Sequence, residues 1–137
     1  MMSKKCKYAI KALIVLARNY GKGNLFTADI AAQENIPKKF LEQILLVLKR
    51  SGYVGSQAGY GGGYYLQKPP DSITVADIHR LFDGAIALVP CVAVDYYEKC
   101  NDCRDEVTCT MRREFMKIKE QTRNVMKMTS LQSFLEP

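Results

Sequence analysis

Apolar residues recur at helical spacing through the first fifty positions of the chain. The pattern predicts a first helix from about Ser3 to Tyr20, ended by Gly21 and Gly23. The inward face of this helix is predicted to hold Ala9, Leu13, Leu16 and Tyr20. One side of the first helix should therefore belong to the core.

Two further helices follow in close succession. The segment TADIAAQENIP predicts a short helix that begins at a Thr27 cap and stops before Pro37. A longer helix is predicted from Pro37 to Gly52, because proline suits a first helical turn and glycine suits a left-handed C-terminal cap. Its apolar stripe consists of Phe40, Leu41, Ile44, Leu45 and Leu48. A short helix, a tight turn and a longer helix are the arrangement of a helix-turn-helix.

The next segment, YVGSQAGYGGGYYLQKPP, combines β-prone residues with a glycine-rich centre. Tyr53 and Val54 precede the glycines and the run from Tyr64 to Leu66 follows them, so a β-hairpin, or wing, is predicted. The glycines could instead cradle a phosphate. That interpretation is weak, because neither a Lys-Ser/Thr pair nor a G-x-G-x-x-G spacing accompanies them.

Two more helices are predicted in the second half of the chain. The segment ITVADIHRLFDG predicts a helix capped near Thr74 and ended by Gly84, and its lone His79 is assigned no role. A last helix is predicted from about Thr110 to Gln132. Its mostly apolar seam consists of Met111, Phe115, Ile118, Thr122, Val125 and Thr129. The seam could pack on its own domain, but a single terminal helix has little to bury against, so a dimer contact is favoured.

Composition places the chain among ordinary globular proteins. Its 137 residues are 47% hydrophobic and 25% charged, and no uncharged apolar run approaches the roughly 18 residues needed to span a bilayer. The basic N-terminus resembles a signal peptide at first. However, Lys11 interrupts the apolar run, Arg18 ends it and no small-residue cleavage site follows. A soluble protein retained in the cytoplasm is therefore expected.

The net charge of +6 is distributed unevenly along the chain. Residues 1–60 carry ten Lys or Arg and three Asp or Glu, whereas residues 61–110 carry four and eight. The basic half suits an anionic partner, either nucleic acid or a membrane surface. Charge alone does not separate these partners from a basic surface that binds nothing.

The predicted third helix carries side chains that can read base edges. Its exposed N-terminal face holds Lys38, Lys39, Glu42 and Gln43. Gln pairs with adenine bidentately, Glu accepts from cytosine N4, and Lys reaches guanine or phosphate. Any amphipathic helix has a solvated face, but this one follows a turn, precedes a wing and lies in the basic half. Binding to double-stranded DNA is therefore favoured.

Four cysteines lie within the nineteen-residue segment CVAVDYYEKCNDCRDEVTC, residues 91–109. In a reducing cytoplasm, clustered thiols favour metal binding or redox chemistry over structural disulfides. Three interpretations are open: zinc held by all four thiols, a dithiol enzyme using the C-x2-C pair Cys100 and Cys103, and an iron–sulfur cluster. The dithiol enzyme lacks its usual βαβ context. The residues alone do not separate zinc from an iron–sulfur cluster.

Several motifs, in this order, resemble those of the Rrf-two family of bacterial winged-helix regulators. They are F-L-E-Q-I-L, L-K-x-S-G-Y-V and G-x-G-G-G-Y-x-L, followed by a cysteine group ahead of a long helix, and they cover nearly the whole chain. The family includes the iron–sulfur cluster regulator, the nitric-oxide sensor and the rhizobial iron regulator. The resemblance implies a mainly α fold with a small β-hairpin wing and a long C-terminal dimerisation helix, and no enzymatic activity.

By position, the resemblance places base-reading residues at Lys39, Glu42 and Gln43. The wing arginine that enters the minor groove in the iron–sulfur cluster regulator is replaced by Ala58 here. The wing is expected to contribute other contacts instead. The full set of predicted DNA contacts is Thr27, Lys38, Lys39, Glu42, Gln43, Lys49, Gln57, Tyr60 and Gly61.

The resemblance also implies that cysteines of the loop hold an iron–sulfur cluster, either [2Fe–2S] or [4Fe–4S]. The implied ligands are Cys91, Cys103 and Cys109. Cys100 is then a fourth ligand or a spare thiol. The histidine that completes the site in the iron–sulfur cluster regulator is Arg112 here, and the aspartate of the nitric-oxide sensor aligns near Lys7. Cys6 of the partner subunit could serve instead, although a small buried helix residue is the simpler interpretation.

The sequence thus predicts a DNA-binding transcriptional regulator whose operator binding is modulated by an iron–sulfur cluster. The alternative is a winged-helix regulator with a structural zinc or a thiol-based redox switch. The predicted organisation is a winged helix-turn-helix domain at residues 1–84, a cluster-binding loop at 85–109, and a dimerisation helix with a tail at 110–137. The expected partners are double-stranded DNA and a second copy of the chain, and not a membrane.

Overall fold

A computed structural model describes residues 2–137, which form five α-helices, one antiparallel hairpin and three short 3₁₀ turns. The helices are α1 (Lys4–Arg18), α2 (Thr27–Glu34), α3 (Lys38–Arg50), α4 (Val75–Asp83) and α5 (Thr110–Met128), and the strands are β1 (Val54–Gln57) and β2 (Gly63–Leu66). This architecture confirms the predicted mainly α fold with a small wing. Among the described residues, no helix is both long and apolar enough to cross a bilayer.

Helix α1 is shorter than predicted. Ser3 caps its start, since the Ser3 hydroxyl accepts a hydrogen bond from the Cys6 backbone N–H at 3.0 Å. The helix ends at Arg18, and Gly21 then takes a positive φ of 75° that turns the chain away. The prediction that Tyr20 lies on the buried face of this helix is therefore wrong, because Tyr20 follows the last turn and is exposed.

Helices α2 and α3 form the predicted helix-turn-helix, with the left-handed residue Asn35 at the turn. Four residues of the predicted stripe on α3 are completely buried: Leu41, Ile44, Leu45 and Leu48. Gly52 has the left-handed φ that was predicted for it, 82°. The predicted Thr27 cap is wrong. Phe26 occupies the cap position of α2 without a side-chain hydrogen bond, and Thr27 is the first helical residue.

The connection between α1 and α2 pairs with the wing. The backbone of Leu25 exchanges two hydrogen bonds with Tyr64 of β2, at 2.9 and 2.7 Å. This pairing keeps the chain extended up to Phe26, which explains why Phe26, and not Thr27, occupies the cap position. At the neighbouring Gly63, where φ is 123°, a Cβ atom would lie 2.5 Å from the Leu25 carbonyl oxygen. Only glycine fits there.

Helix α4 has both predicted ends. The Thr74 hydroxyl accepts from the Asp77 backbone N–H at 3.2 Å, and the Asp77 carboxylate accepts from the Thr74 backbone N–H at 3.0 Å. This capping box starts the helix, and Gly84 ends it. In the described stretch from 85 to 109, the only helical element is a 3₁₀ turn, Pro90–Val92. The cysteines therefore lie in an irregular loop.

Helix α5 ends at Met128 and not at Gln132, because Thr129 adopts an extended conformation and the chain turns back to the start of α4. The Thr129 carbonyl accepts from the Val75 N–H at 2.8 Å, and the Leu131 N–H donates to the Ile73 carbonyl at 2.9 Å. Leu131 is buried in the core that α1 and α3 form. The C-terminal end of α5 is thus attached to the start of α4.

The predicted seam on α5 is only partly covered by its own chain, since Phe115 and Thr129 are half-buried and the other four residues are exposed. Ile118 is 45% exposed and Val125 is 61% exposed, and Met111, one heptad before Ile118, is also exposed. Helix α5 contacts α4 and the Pro90–Val92 turn with a different side, on which Lys119 is buried. An apolar stripe with heptad spacing therefore faces solvent along the helix.

Candidate DNA-reading face and cysteine cavity

The exposed face of α3 presents the polar residues predicted to read DNA. Burial of the leucines on one side of α3 directs the opposite side to solvent, where Lys38, Lys39, Glu42, Gln43 and Lys49 are all exposed. Within residues 2–137, none of these five side chains forms a hydrogen bond or an ion pair with another side chain. Their donors and acceptors are therefore available to a partner.

The wing carries the other predicted contacts. Tyr60 is fully exposed at its tip, and Gly61 takes a positive φ of 76° in the turn. Gln57 is exposed at the end of β1, while Thr27 is half-buried in the first turn of α2. Asn24, which the sequence pattern does not single out, donates through Nδ2 to Gln57 Oε1 at 3.0 Å and to the Gly61 carbonyl at 3.1 Å.

The four loop cysteines line one cavity of about 320 Å³. Its other lining residues are Val89, Asp102, Arg104, Asp105, Thr108, Met111 and Arg112. In the described residues, no three His, Cys, Asp or Glu side chains are grouped closely enough to hold a metal ion. The fold therefore brings the predicted sulfur atoms to one cavity but does not arrange them as a coordination sphere.

Three local structures position the thiols. Cys91 is buried on the Pro90–Val92 turn, and Cys103 donates its N–H to the Cys100 carbonyl at 3.1 Å, which closes the C-x2-C turn. The pKa of the Cys100 thiol is raised, mainly by a hydrogen bond with the Cys91 side chain and to a lesser extent by burial. Cys109 is the N-cap of α5, and its sulfur accepts from the Arg112 N–H at 3.3 Å.

Arg112 connects the cavity to α5. Its Nε donates to the Cys91 carbonyl at 3.3 Å and lies 3.6 Å from a Glu106 carboxylate oxygen. A guanidinium has no free lone pair, so Arg112 cannot replace the ligand histidine that the resemblance implies at this position. It fixes the loop instead. The sequence pattern did not indicate this role. Cys91 is 21 residues from Arg112 along the chain, and Glu106 lies in the irregular loop before α5.

Cys6 lies apart from the cavity. It is fully buried in α1 within the hydrophobic core, and burial, assisted by the nearby Asp83 carboxylate, raises the pKa of its thiol to about 12. A protonated thiol in an apolar core packs as a small hydrophobic residue. The structure thus favours the simpler interpretation of Cys6.

Comparison with known proteins identifies the family. The Rrf2 profile, described as an iron-dependent transcriptional regulator, matches residues 2–137. The chain belongs to the Rrf2 family. An rrf2-like HTH-type transcriptional regulator from Rhodobacter capsulatus is 40% identical over 121 residues, which are 86% of this chain and 81% of that protein.

Two solved Rrf2-type structures resemble the whole chain. CymR, the global cysteine regulator of Bacillus subtilis, superposes with a TM-score of 0.81 at 30% identity, covering 98% of this chain and 95% of CymR. IscR of T. potens superposes with a TM-score of 0.77 at 26% identity, covering 98% of this chain and 85% of IscR. The chain is therefore a transcriptional regulator with the family's winged-helix fold, and the prediction that it is not an enzyme is confirmed.

Proposed function

We propose that this Rrf2 regulator binds operator DNA as a homodimer and that an iron–sulfur cluster in the cysteine loop modulates the binding. One observation carries the proposal: four thiols spread over nineteen positions all line a single cavity at the start of α5. The same helix bears the largely exposed apolar seam. Ligation at the cavity and assembly of the dimer therefore involve one element.

In this proposal, α3 enters the major groove, and the glycine-rich wing approaches the neighbouring backbone and minor groove closely. Gln43 pairs with adenine, Glu42 accepts from cytosine, and Lys38 and Lys39 reach guanine or phosphate. Lys49, at the other end of α3, contacts phosphate. Thr27, Gln57, Tyr60 and Gly61 complete the interface. The protein acts in the cytoplasm, because its DNA target lies in that compartment.

The dimer forms through the seam of α5. A second copy would cover Met111, Ile118 and Val125, whose exposure in one chain is otherwise unfavourable. Two symmetric α3 helices would then read half-sites about one helical turn of DNA apart. In this organisation, residues 1–84 bind DNA, residues 85–109 hold the cluster and residues 110–137 supply the dimer helix with its tail.

The donor set of the cavity suits an iron–sulfur cluster. Soft thiolates are its usual ligands, and Cys109 at the helix N-cap meets the positive end of the α5 dipole. The Arg112 guanidinium in the same cavity offsets negative charge. We assign Cys91, Cys103 and Cys109 as ligands, with Cys100 as a fourth ligand or a spare thiol. When bound, the cluster would make the regulator responsive to conditions in the cell, because the presence or the oxidation state of the cluster can change.

A thiol switch is the second candidate, and the placement of Cys100 and Cys91 in one cavity favours it. The Cys91 side chain raises the pKa of the Cys100 thiol, which indicates that the two thiols interact. The similarity to CymR, a cysteine regulator by name, is in keeping with chemistry at thiols. A structural zinc held by the four cysteines is the remaining alternative.

Anaerobic purification tests these candidates. We expect coloured protein that contains iron and acid-labile sulfide and whose affinity for an operator selected from random duplexes changes about 5- to 150-fold when the cluster is removed. Colourless protein with tightly bound zinc, and unchanged DNA affinity after chelation, would overturn the sensor. Colourless protein whose affinity responds reversibly to a thiol oxidant would favour the thiol switch.

Gln43→Ala should weaken binding to the selected operator by about 1 to 3 kcal/mol and remove the preference at one base pair, because a bidentate contact to a base edge is lost. Electrophoretic or fluorescence titration with single-base operator variants measures both effects. Lys49→Ala is the matched control on the same helix. It should weaken all duplexes alike, since phosphate contacts carry no sequence information.

If Gln43→Ala lowers affinity equally for every operator variant, Gln43 does not read a base. Both substitutions replace exposed side chains, so each variant should unfold at nearly the wild-type temperature. Thermal unfolding of the two variants therefore separates a lost DNA contact from a damaged fold.

A further inference from the structure

We propose that Asn24 is a positioning residue that orients the Gln57 amide, so that the wing presents N–H donors to the minor groove and selects A·T pairs beneath it. The inference deepens the proposed function and rests on the wing's placement against DNA. Asn24 lies between α1 and α2 and outside the predicted DNA contacts, yet it forms two hydrogen bonds with the wing.

The hydrogen-bond pattern determines which way both amides point. The carbonyl oxygen of Gly61 can only accept, so the Asn24 atom 3.1 Å from it must be the nitrogen Nδ2. The same Nδ2 lies 3.0 Å from the Gln57 side chain and has its second hydrogen available. The Gln57 atom that receives this hydrogen must therefore be the oxygen Oε1.

This orientation directs the Gln57 Oε1 toward Asn24 and leaves both Nε2 hydrogens free. Nε2 has no partner among residues 2–137, and the side chain is exposed. A glutamine free to rotate could offer either a donor or an acceptor to DNA. Held by Asn24, Gln57 offers two N–H groups.

The backbone around this contact is firmly held. Leu25, the next residue, pairs with Tyr64 through two hydrogen bonds, and Gly63 contacts the Leu25 carbonyl where no side chain could fit. Gln57 and Gly63 are paired in the sheet register. Asn24 is thus attached to the same strands whose tip it orients, and the direction of the Gln57 amide is set before DNA binds.

Donors at this position discriminate between base pairs in the minor groove. A·T and T·A pairs present only acceptors there, adenine N3 and thymine O2, whereas a G·C pair adds the guanine N2 amino donor. An N–H group facing that amino group meets another donor. Gln57 is the amide-bearing side chain of the hairpin's tip, because its neighbours there, Ala58 and Tyr60, carry no side-chain amide.

The test uses an operator selected from random duplexes and two replacements of the A·T pairs beneath the wing. Replacement by G·C should weaken wild-type binding about 5- to 100-fold. Replacement by inosine·C should leave it nearly unchanged, because inosine lacks the N2 amino group but resembles guanine in the major groove. Equal losses for G·C and inosine·C would overturn the minor-groove assignment.

Substitutions separate the reading residue from the residue that positions it. Gln57→Ala should bind the A·T and G·C operators with similar affinity. Asn24→Ala should reduce the discrimination several-fold, because the Gln57 amide is then free to rotate. Asn24→Asp is more informative. A carboxylate cannot donate, so the Gln57 amide must turn an N–H toward the new carboxylate and present Oε1 to DNA, which should shift the preference toward G·C.

Gln67→Ala, an exposed glutamine just beyond β2, is the matched control and should keep the wild-type ratio. Because a changed charge at position 24 weakens all duplexes alike, the ratio of affinities is the decisive quantity. Unchanged ratios in both Gln57→Ala and Asn24→Ala would overturn the inference while leaving DNA binding intact. A protein that binds no duplex at all would instead refute the proposed function.

Discussion

Replacing Cys109 by serine should abolish the colour and the acid-labile sulfide of the anaerobically purified protein. The substitution removes a thiolate ligand from the cavity, and a hydroxyl is a poor ligand for a soft metal centre. Cys91→Ser and Cys103→Ser should have the same effect for the same reason. Absorption spectra with iron and sulfide assays on each variant measure the loss.

Two further cysteines provide controls for this result. Cys6→Ala removes a thiol that is buried in α1 outside the cavity, so the colour should persist. Cys100→Ser decides the role of the remaining thiol: a labile or smaller cluster identifies a fourth ligand, and an unchanged spectrum identifies a spare thiol. Full colour in Cys109→Ser would contradict the assignment of the ligands.

A charge in the seam of α5 should separate the dimer. Ile118→Glu combined with Val125→Glu places two carboxylates where the second copy is expected to pack, and burial of unpaired charges is strongly unfavourable. Operator affinity should then fall by about 10²- to 10⁴-fold, because the two half-sites are no longer bound by one linked molecule. Sedimentation and operator titration measure the two changes.

Asn124→Glu is the control for this experiment. Asn124 is exposed on α5 about 120° around the helix from Ile118, so the added charge lies away from the seam. This variant should remain dimeric. A dimeric Ile118→Glu/Val125→Glu protein with wild-type affinity would show that the chain associates through another surface.

The sequence predicted two kinds of feature correctly: helices whose buried residues repeat with the helical period, and helix ends that depend only on nearby residues. The stripe on α3 repeats with the helical period, and the capping box of α4 lies within four residues, so each could be predicted from a short window. Tyr20 and Thr27 were assigned wrongly at helix ends. The end before Thr27 depends on the pairing of Leu25 with Tyr64, a contact between distant segments.

Within the candidate sites, residue type was predictable but relative placement was not. The spacing of the cysteines indicated a common purpose, yet it did not indicate that Arg112 would bridge the Cys91 turn and α5. Asn24 in a polar connection carries no periodic signal that would associate it with the wing. Leu131 was equally inconspicuous, because its burial depends on the chain turning back after Met128.

Thr129 and Leu131 attach the C-terminal end of α5 to the start of α4, so α5 can act as a lever that pivots about this end. The lever arm of 19 residues is about 28 Å long, with Cys109 at its other end. If ligation moves Cys109 by about 2 Å, as elements at regulatory interfaces commonly move, the arm swings by about 4°. In a symmetric pair, both arms swing together, so the crossing angle at the seam changes by twice that amount. The distance between the two recognition helices would then register events at the cavity.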